Sequence, residues 1–177
     1  MIETERLIIN PINEMDYEDI CDYGCDEETG EYMIHWPKTR EEIKEFIKDR
    51  ISSMSLENPT WYEFVMRLKA TSKVIGNISL MIKGSEAEIG WISNKKYWNN
   101  GYMSEAVNAV IKNAFNNLSI SKILATCSDK NVGSYRVMEK CNMKRLSLEK
   151  NKKAIRKQVE VTYDRYTYVI DKSSYEK

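Results

Sequence analysis

The spacing of apolar residues along this 177-residue chain predicts helices in some segments and strands in others. Between positions 39 and 54 apolar side chains recur every three or four residues, which is the period of one helix face. Thr39 and Glu42 stand there at the spacing of a capping box, so a helix should begin at this point. The same period predicts helices over Met15–Cys25, Gly101–Asn117 and from about Asn131 to Cys141.

Strand-like runs fill most of the remaining chain, because β-branched and aromatic residues cluster there between turn residues. Three successive runs are separated only by the turns Thr71-Ser72-Lys73 and Gly84-Ser85, which predicts an antiparallel meander. The predicted strands are Arg6–Ile12, Trp61–Ala70, Val74–Lys83, Glu86–Ser93, Lys122–Cys127, Met143–Leu148 and Val159–Ile170.

The order of these elements, βααβββαβαββ, predicts an α+β protein with a central mixed sheet. The strand–helix–strand unit at 88–127 implies one parallel pairing. We therefore expect a mostly antiparallel sheet of about seven strands, flanked by about four helices. No repeat or linker interrupts the order, so residues 1–177 are expected to form one domain.

The most informative chemistry lies between Glu88 and Phe115, where a strand, a short polar loop and a helix follow in turn. The helix opens on Gly101, whose missing Cβ allows close approach to the backbone. Helix-start amides lack intrahelical partners and lie at the positive end of the dipole, so they favour an anion such as a diphosphate. Neither GxxxxGK[ST] nor GxGxxG is present, which excludes those two nucleotide-binding loops.

Charge and composition narrow the function classes. Lys and Arg total 27 and Asp and Glu total 27, so the basic excess of a general nucleic-acid binder is missing. The sequence shows no secretory signal pattern and no apolar run of membrane-spanning length, and we expect a cytoplasmic protein. The cysteines are expected to be reduced and structural rather than metal ligands; they are Cys21, Cys25, Cys127 and Cys141.

Four segments, in the right order over most of the chain, resemble the GNAT superfamily of acetyl-CoA-dependent N-acetyltransferases. They are ETERLII at 3–9, IGNISL at 75–80, EIGWISNKKYWNNGYMSEA at 88–106 and NVGSYRVMEKCNM at 131–143. The closer likeness is to the branch that includes the ribosomal-protein N-terminal acetyltransferases. The resemblance implies the GNAT fold, in which the parallel strand pair splays apart, and an acyltransferase that uses acetyl-CoA and no metal.

The resemblance also implies which residues contact the cofactor. Main-chain groups of Ile92 and Ser93 would pair with the pantetheine arm like an added strand. Asn131 and Ser134 would lie beside the pantetheine and the thioester sulfur, and Asn131 can serve as a helix N-cap at the same time. The diphosphate would be held by the loop and helix start, which comprise Trp98, Asn99, Asn100, Gly101, Tyr102, Met103 and Ser104.

Three places depart from the family pattern. Met103 stands where a small residue is usual and is expected to tighten the phosphate turn. Met138 stands where many relatives have a tyrosine that protonates the leaving thiolate, which shifts that role toward Ser134. Asn142 and Met143 replace the usual Gly-Phe, and asparagine tolerates the left-handed helix stop.

Acetyl transfer requires that the amine lose a proton and that the leaving thiolate be stabilised. The resemblance implies direct attack, and the sequence holds no triad pattern. Glu88 is the candidate base, directly or through water; the alternative is an exposed carboxylate paired with a lysine. Ser134 is the candidate thiolate donor, or else a first-turn serine that satisfies helix amides. Glu105 is expected to serve only the helix dipole.

The candidate acceptor region is acidic. From Leu7 to Pro37 the chain has no Lys or Arg but nine carboxylates, and in the resembled fold this stretch borders the acceptor cleft. We expect a cationic primary amine: a protein N-terminus, a polyamine or an amino-sugar antibiotic. A solvated acidic helix face is the alternative. His35 and Trp36 are candidate acceptor contacts, with an ordinary loop position as the alternative for His35.

Two further questions stay open at this point. The chain is compatible with a monomer or a homodimer. A non-catalytic acyl-CoA sensor is the alternative function, and Met103 and Met138 motivate it, because Met138 cannot donate a proton and Met103 is bulkier than the usual residue in the phosphate turn.

Overall fold

The computed structural model describes residues 1–33, 37, 39–156 and 159–175. Its strands are β1 (Ile2–Glu3), β2 (Leu7–Pro11), β3 (Trp61–Leu68), β4 (Val74–Lys83), β5 (Glu86–Ser93), β6 (Lys122–Ser128), β7 (Lys144–Arg156) and β8 (Val159–Asp171). Its helices are α1 (Tyr17–Gly24), α2 (Arg40–Met54), α3 (Tyr102–Asn117), α4 (Val132–Lys140) and α5 (Lys172–Tyr175). The candidate acceptor contacts His35 and Trp36 lie outside the described residues.

Within the described ranges, the eight strands form one sheet in the order β1-β2-β3-β4-β5-β6-β8-β7. Every neighbouring pair is antiparallel except β5 and β6, which are parallel. The predicted fold class is thereby confirmed. Two short elements, β1 and α5, were not predicted, because two to four residues carry too little periodicity to recognise.

β7 is longer than the sequence suggests. The prediction ended at Leu148, whereas the strand continues to Arg156 and pairs with β8 through two register shifts. Its second half, NKKAIR, is polar and lacks the alternation that marks a half-buried strand. Pairing with β8 therefore decides its structure.

The start of α2 confirms the predicted capping box. The Thr39 hydroxyl accepts a bond from Glu42 N at 3.2 Å, and the Glu42 carboxylate accepts one from Thr39 N at 3.0 Å. Ile43 and Ile47 lie on the face of α2 that packs on the sheet, and both side chains are buried. Local capping and one apolar stripe thus fix this helix together.

The two faces of the sheet bury separate clusters because strand side chains alternate. On β3, Phe64 and Met66 belong to the larger cluster with α3, whereas Val65 belongs to the smaller cluster with α1 and α2. Ile92 on β5 lies in the smaller cluster as well. No helix among the described residues is both long and apolar enough to cross a bilayer.

Gly76 marks the tightest approach in the sheet. A Cβ built on Gly76 would lie 2.5 Å from Ile92 O and 2.8 Å from the Met66 methyl group. The β3–β4 register also shifts beside it, between Met66 and Arg67. Only glycine fits here without moving main chain.

We predict that Gly76→Ala destabilises the protein by about 1–3 kcal/mol, as overpacking does, which amounts to several degrees in Tm. Gly90→Ala is the matched control in the next strand, because apart from its chain neighbours no described residue places an atom within 4 Å of its ideal Cβ. Thermal unfolding by circular dichroism measures both. An unchanged Tm for Gly76→Ala would show that the strands separate easily at this point.

Candidate active site

A wedge-shaped gap opens between β5 and β6. The two strands pair only where Glu86–Glu88 faces Lys122–Leu124. Beyond these residues β5 stays on β4 as far as Ser93, and β6 stays on β8 as far as Ser128. The predicted parallel pairing is therefore confirmed, and the strands diverge from Glu88 onward.

The main-chain groups of β5 point alternately to its two sides. Asn94 N donates to Ile75 O at 2.9 Å on the β4 side, and Ser121 N donates to Ser85 O at 2.8 Å on the β6 side. The β4–β5 register runs without a shift. Even-numbered residues of β5 therefore direct N–H and C=O at β4, and odd-numbered residues direct them at the gap.

This alternation corrects one predicted contact. Ile92 turns its main chain toward β4 and buries its side chain in the smaller cluster, so it cannot offer main-chain groups to the gap. Trp91 and Ser93 face the gap instead. The indole Nε1 of Trp98 donates to Ser93 O at 2.9 Å, which fastens the following loop to the end of the strand.

The loop from Trp98 to Gly101 has the backbone form of an anion-binding concavity. Asn99 and Gly101 both have positive φ, 62° and 80°, with Asn100 between them. Alternation of this kind makes successive N–H groups converge. Gly101 caps α3 without a side-chain bond, and the amides of residues 102–104 have no intrahelical partner. These donors can accommodate two phosphates.

A salt bridge holds this loop in place. Glu105 accepts bonds from the Thr4 hydroxyl, from Arg6 N at 2.9 Å and from Arg6 Nε at 2.7 Å. Arg6 in turn donates to Asn100 O at 3.0 Å and lies 4.4 Å over the Tyr102 ring. Burial raises the pKa of Glu105, but the bonds from Thr4 and Arg6 outweigh it and keep the pKa below its ordinary value. Glu105 therefore braces the loop, beyond the dipole role predicted for it.

The two methionines that departed from the family pattern lie in the core. Met103 is 9% exposed and Met138 is 1% exposed, and both pack in the larger cluster. The Met103 side chain therefore packs into the core, and its expected effect on the phosphate turn stays a prediction. Ser104, in the same helix turn, contacts the end of α4, because Cys141 Sγ donates to Ser104 O at 3.4 Å.

Asn131 and Ser134 lie where α4 begins, beside β6. The Asn131 side chain accepts a bond from Ser134 N at 3.0 Å, so it is an N-cap as predicted. The Ser134 hydroxyl hydrogen-bonds with Cys127 on β6, while burial raises the pKa of Cys127 to about 11. Cys127 thus remains a neutral thiol. All four cysteines are free.

Glu88 stands where the gap begins. Its side chain is exposed and accepts a bond from the Thr126 hydroxyl at 3.2 Å. No ion pair to a described lysine or arginine is formed. Thr126 and Cys127 are successive residues of β6 and face opposite sides. Glu88 and Ser134 therefore contact neighbouring residues of β6 from opposite faces of the sheet.

The acidic segment is largely neutralised by its neighbours. At least six of its nine carboxylates form ion pairs, a fact hidden from the sequence because the cations come from distant elements. The pairs are Asp16–Arg67, Glu18–Arg40, Asp19–Lys73, Asp22–Lys96, Asp26–Lys95 and Glu28–Lys95. The bonds from Lys95 and Thr29 lower the pKa of Asp26 to about 2. The segment therefore carries less uncompensated negative charge than its composition alone suggests.

Sequence reasoning missed a buried carboxylate on β3. Glu63 is fully buried on the face that also carries Glu88 and Gly90. The available signal was one acidic residue inside the apolar run WYEFVMRL. No group of three or more metal-ligating side chains occurs among the residues that the structure describes.

Comparisons with known proteins agree with this geometry. Residues 6–144 match the family model described as an acetyltransferase (GNAT) domain. The chain is 32% identical over 171 residues to an uncharacterized N-acetyltransferase of Bacillus subtilis, YnaD. The matched residues make up 96% of this chain and 95% of YnaD. A GNAT-family acetyltransferase structure from Bacillus anthracis has a TM-score of 0.85 at 30% identity, covering 97% of this chain and 98% of that one.

More distant structures share the fold. Spermidine N-acetyltransferase from Vibrio cholerae, solved with CoA and spermine, has a TM-score of 0.82 at 17% identity and covers 98% of this chain and 100% of its own. Ribosomal-protein-S5-alanine acetyltransferase from Vibrio fischeri has a TM-score of 0.83 at 18% identity, and the match covers 98% of this chain and 97% of that one. At such identities the likeness concerns the fold alone, so the predicted branch is not established.

We predict that Glu105→Gln loosens the loop at 98–104. The variant loses the charge that Arg6 and Thr4 bind, and after allowance for the partly exposed Arg6 the loss is about 1 kcal/mol. Amide hydrogen exchange in the loop should therefore be roughly fivefold faster. Glu160→Gln, which removes an exposed pair with Lys153, is the control. Equal protection in Glu105→Gln and wild type would show that the brace is dispensable.

Proposed function

This chain belongs to the GNAT acetyltransferase family, and from that premise we propose that it transfers the acetyl group of acetyl-CoA to a primary amine. The observation that carries the proposal is the braced concavity at 98–104, which lies at the end of β5 beside the gap between β5 and β6. A long, strand-like thioester with a diphosphate at one end matches that arrangement.

The donor site fits acetyl-CoA in three respects. Converging amides of residues 99–104 would bind the diphosphate oxygens, since the Trp98 amide already donates to Lys95 O. Main-chain groups of Trp91 and Ser93 would pair with the pantetheine amides as an added strand would. Asn131 and Ser134 would flank the far side of the pantetheine, since α4 begins beside β6. The sulfur would then lie between Ser134 and Glu88.

Two side chains are proposed to serve the chemistry. Glu88 would attract the ammonium group of the acceptor and can take its proton, directly or through water. Ser134 would donate a hydrogen bond to the thiolate as it leaves. The amine would attack the thioester directly. Both methionines that motivated a sensor lie in the core, so no observation favours that alternative.

The acceptor is proposed to be a primary amine that is cationic before it reacts. A protein N-terminus, a polyamine or an amino sugar fits this chemistry, and proteins with the same fold are named for the acetylation of spermidine and of a ribosomal protein. The segment at 7–37, with His35 and Trp36, is the proposed acceptor side. We propose a cytoplasmic enzyme, monomeric or homodimeric, because its free thiols suit a reducing compartment.

Release of the CoA thiol, assayed across these three amine classes, tests the proposal. At least one class should be acetylated. Glu88→Gln and Ser134→Ala should each lower kcat roughly 10- to 100-fold while acetyl-CoA affinity stays unchanged. Tight binding of acetyl-CoA without turnover of any amine would favour the sensor. Full activity in both variants would overturn the two assigned roles.

Gly101→Ala should weaken acetyl-CoA binding, because a left-handed residue with a Cβ costs about 1–2 kcal/mol and the loop would leave that conformation. Calorimetry should show an affinity roughly 5- to 30-fold lower. Gly84→Ala is a matched control, since Gly84 also has positive φ, 63°, but lies in the β4–β5 turn. An equal loss of affinity in both variants would mean that the concavity at 101 is not the binding site.

A further inference from the structure

Glu63 is a fully buried carboxylic acid held by three donors. Trp61 Nε1 donates to its carboxylate at 3.2 Å and Asn77 Nδ2 at 3.3 Å. The Ser79 hydroxyl, on the neighbouring strand β4, completes the set. No cation forms an ion pair with Glu63 among the described residues. A buried carboxylate without a salt bridge is costly, which calls for a reason.

The groups that face Glu63 come from every element packed around it. Tyr23 on α1 donates to Asn77 Oδ1 and so reaches Glu63 through one amide. Arg50 on α2 stacks 4.1 Å over the Trp61 ring, and its buried Nε has no hydrogen-bond partner in the part of the chain that the structure describes. Burial raises the pKa of Tyr23 well above its ordinary value, so Tyr23 remains a donor.

These surroundings place the titration of Glu63 near neutral pH. Burial raises its pKa to about 7, while the bonds from Ser79, Trp61 and Asn77 and the charge of Arg50 act in the opposite direction. A base works best when its pKa lies near the operating pH. Glu63 can therefore hold or release a proton without a large change of conditions.

The strand register connects this acid to the gap. Glu63 lies directly opposite Ser79 on β4, and Ser79 lies directly opposite Gly90 on β5. The three residues form one row across one face of the sheet. Apart from its chain neighbours, no described residue places an atom within 4 Å of an ideal Cβ on Gly90, so the row runs from a buried carboxyl group to a point that no described side chain covers. That point adjoins Glu88, where β5 and β6 diverge.

Building on the proposed function, we infer that Glu63 acts through the Ser79 hydroxyl as the proton acceptor for an amine bound over Gly90. The ammonium group gives one proton to Ser79 Oγ while Ser79 gives its own proton to the Glu63 carboxylate. The neutral amine then forms the N–C bond, the C–S bond breaks, and the second nitrogen proton goes to the leaving thiolate. Glu63 returns its proton to solvent by the same route.

The inference gives the two carboxylates of this face different tasks. Exposed Glu88, at the entrance, attracts the ammonium group. Buried Glu63, two strands away, stores the proton in a place that bulk water does not reach. Glu63 is thus a positioning residue that acts through Ser79, and of these two side chains only Ser79 touches the amine.

The test compares wild type with Glu63→Gln and Ser79→Ala, using the amine that the panel identifies. Both variants should lose about 100-fold in kcat, with little change in the amine KM or in acetyl-CoA affinity. The wild-type rate should fall as pH drops below about 7, because the base is then protonated, and this acid limb should be absent from Glu63→Gln. Ser79→Thr keeps the hydroxyl and should retain activity.

Two controls separate a structural effect from the relay. Asp16→Asn disturbs another buried carboxylate, bound to Arg67, and should lower Tm but keep the acid limb. The folded state binds a proton at Glu63 up to pH 7, whereas an unfolded glutamate loses it near its ordinary pKa. Wild-type Tm should therefore fall between pH 5 and 8 relative to Glu63→Gln, a readout that needs no substrate.

The outcomes distinguish this inference from the proposed function. If wild type acetylates an amine but Glu63→Gln keeps both kcat and the acid limb, the relay is wrong and the proposed function stands. If Glu88→Gln loses the acid limb while Glu63→Gln keeps it, the relay is likewise wrong. If wild type binds acetyl-CoA and acetylates no amine, both fall.

Discussion

The short parallel pairing between β5 and β6 is the constraint on which the rest of the site depends. Three residue pairs join the strands, and then each strand follows a different partner, β4 on one side and β8 on the other. Divergence leaves the main-chain groups of one edge of β5 free for another extended molecule. It also places the helix start of α3 at the far end of that edge. A strand-like thioester with a terminal diphosphate needs both features in that order.

The loop that follows β5 has little intrinsic rigidity, and its form is imposed from outside. It contains two residues with positive φ, and only one of them is glycine. Glu105 and Arg6 supply the restraint, because a carboxylate within the first turn of α3 binds the turn between β1 and β2. Arg6 then reaches the loop carbonyl at Asn100. The amides stay oriented before any anion arrives, so binding has less ordering entropy to overcome.

The buried residues Glu63 and Asn77, which lie beneath α2, are polar, whereas most of the interior is hydrophobic. An aliphatic residue in place of Glu63 would bury more apolar surface beside the smaller cluster. The carboxyl group is instead surrounded by donors from β3 and β4, with an aromatic–arginine stack behind it. Such networks fix side-chain geometry closely when every member is satisfied. Glu63 and Ser79 lie in the row that leads to Gly90, and this position favours a role in catalysis over a role in packing alone.

By itself, the sequence determined the order and type of the long elements, the caps of α2 and α4, and the helix start at Gly101, because these depend on local periodicity and on hydrogen bonds between residues close in the chain. The four motif segments also indicated the family. Tertiary structure decided the pairings that join distant residues. It turned Ile92 away from the gap, buried Met103, paired three carboxylates of the acidic segment with Lys95 and Lys96, and joined Glu63 to Ser79 and Gly90 in one row. Strand register and side-chain burial arise only when remote elements pack, so no local pattern could have revealed them.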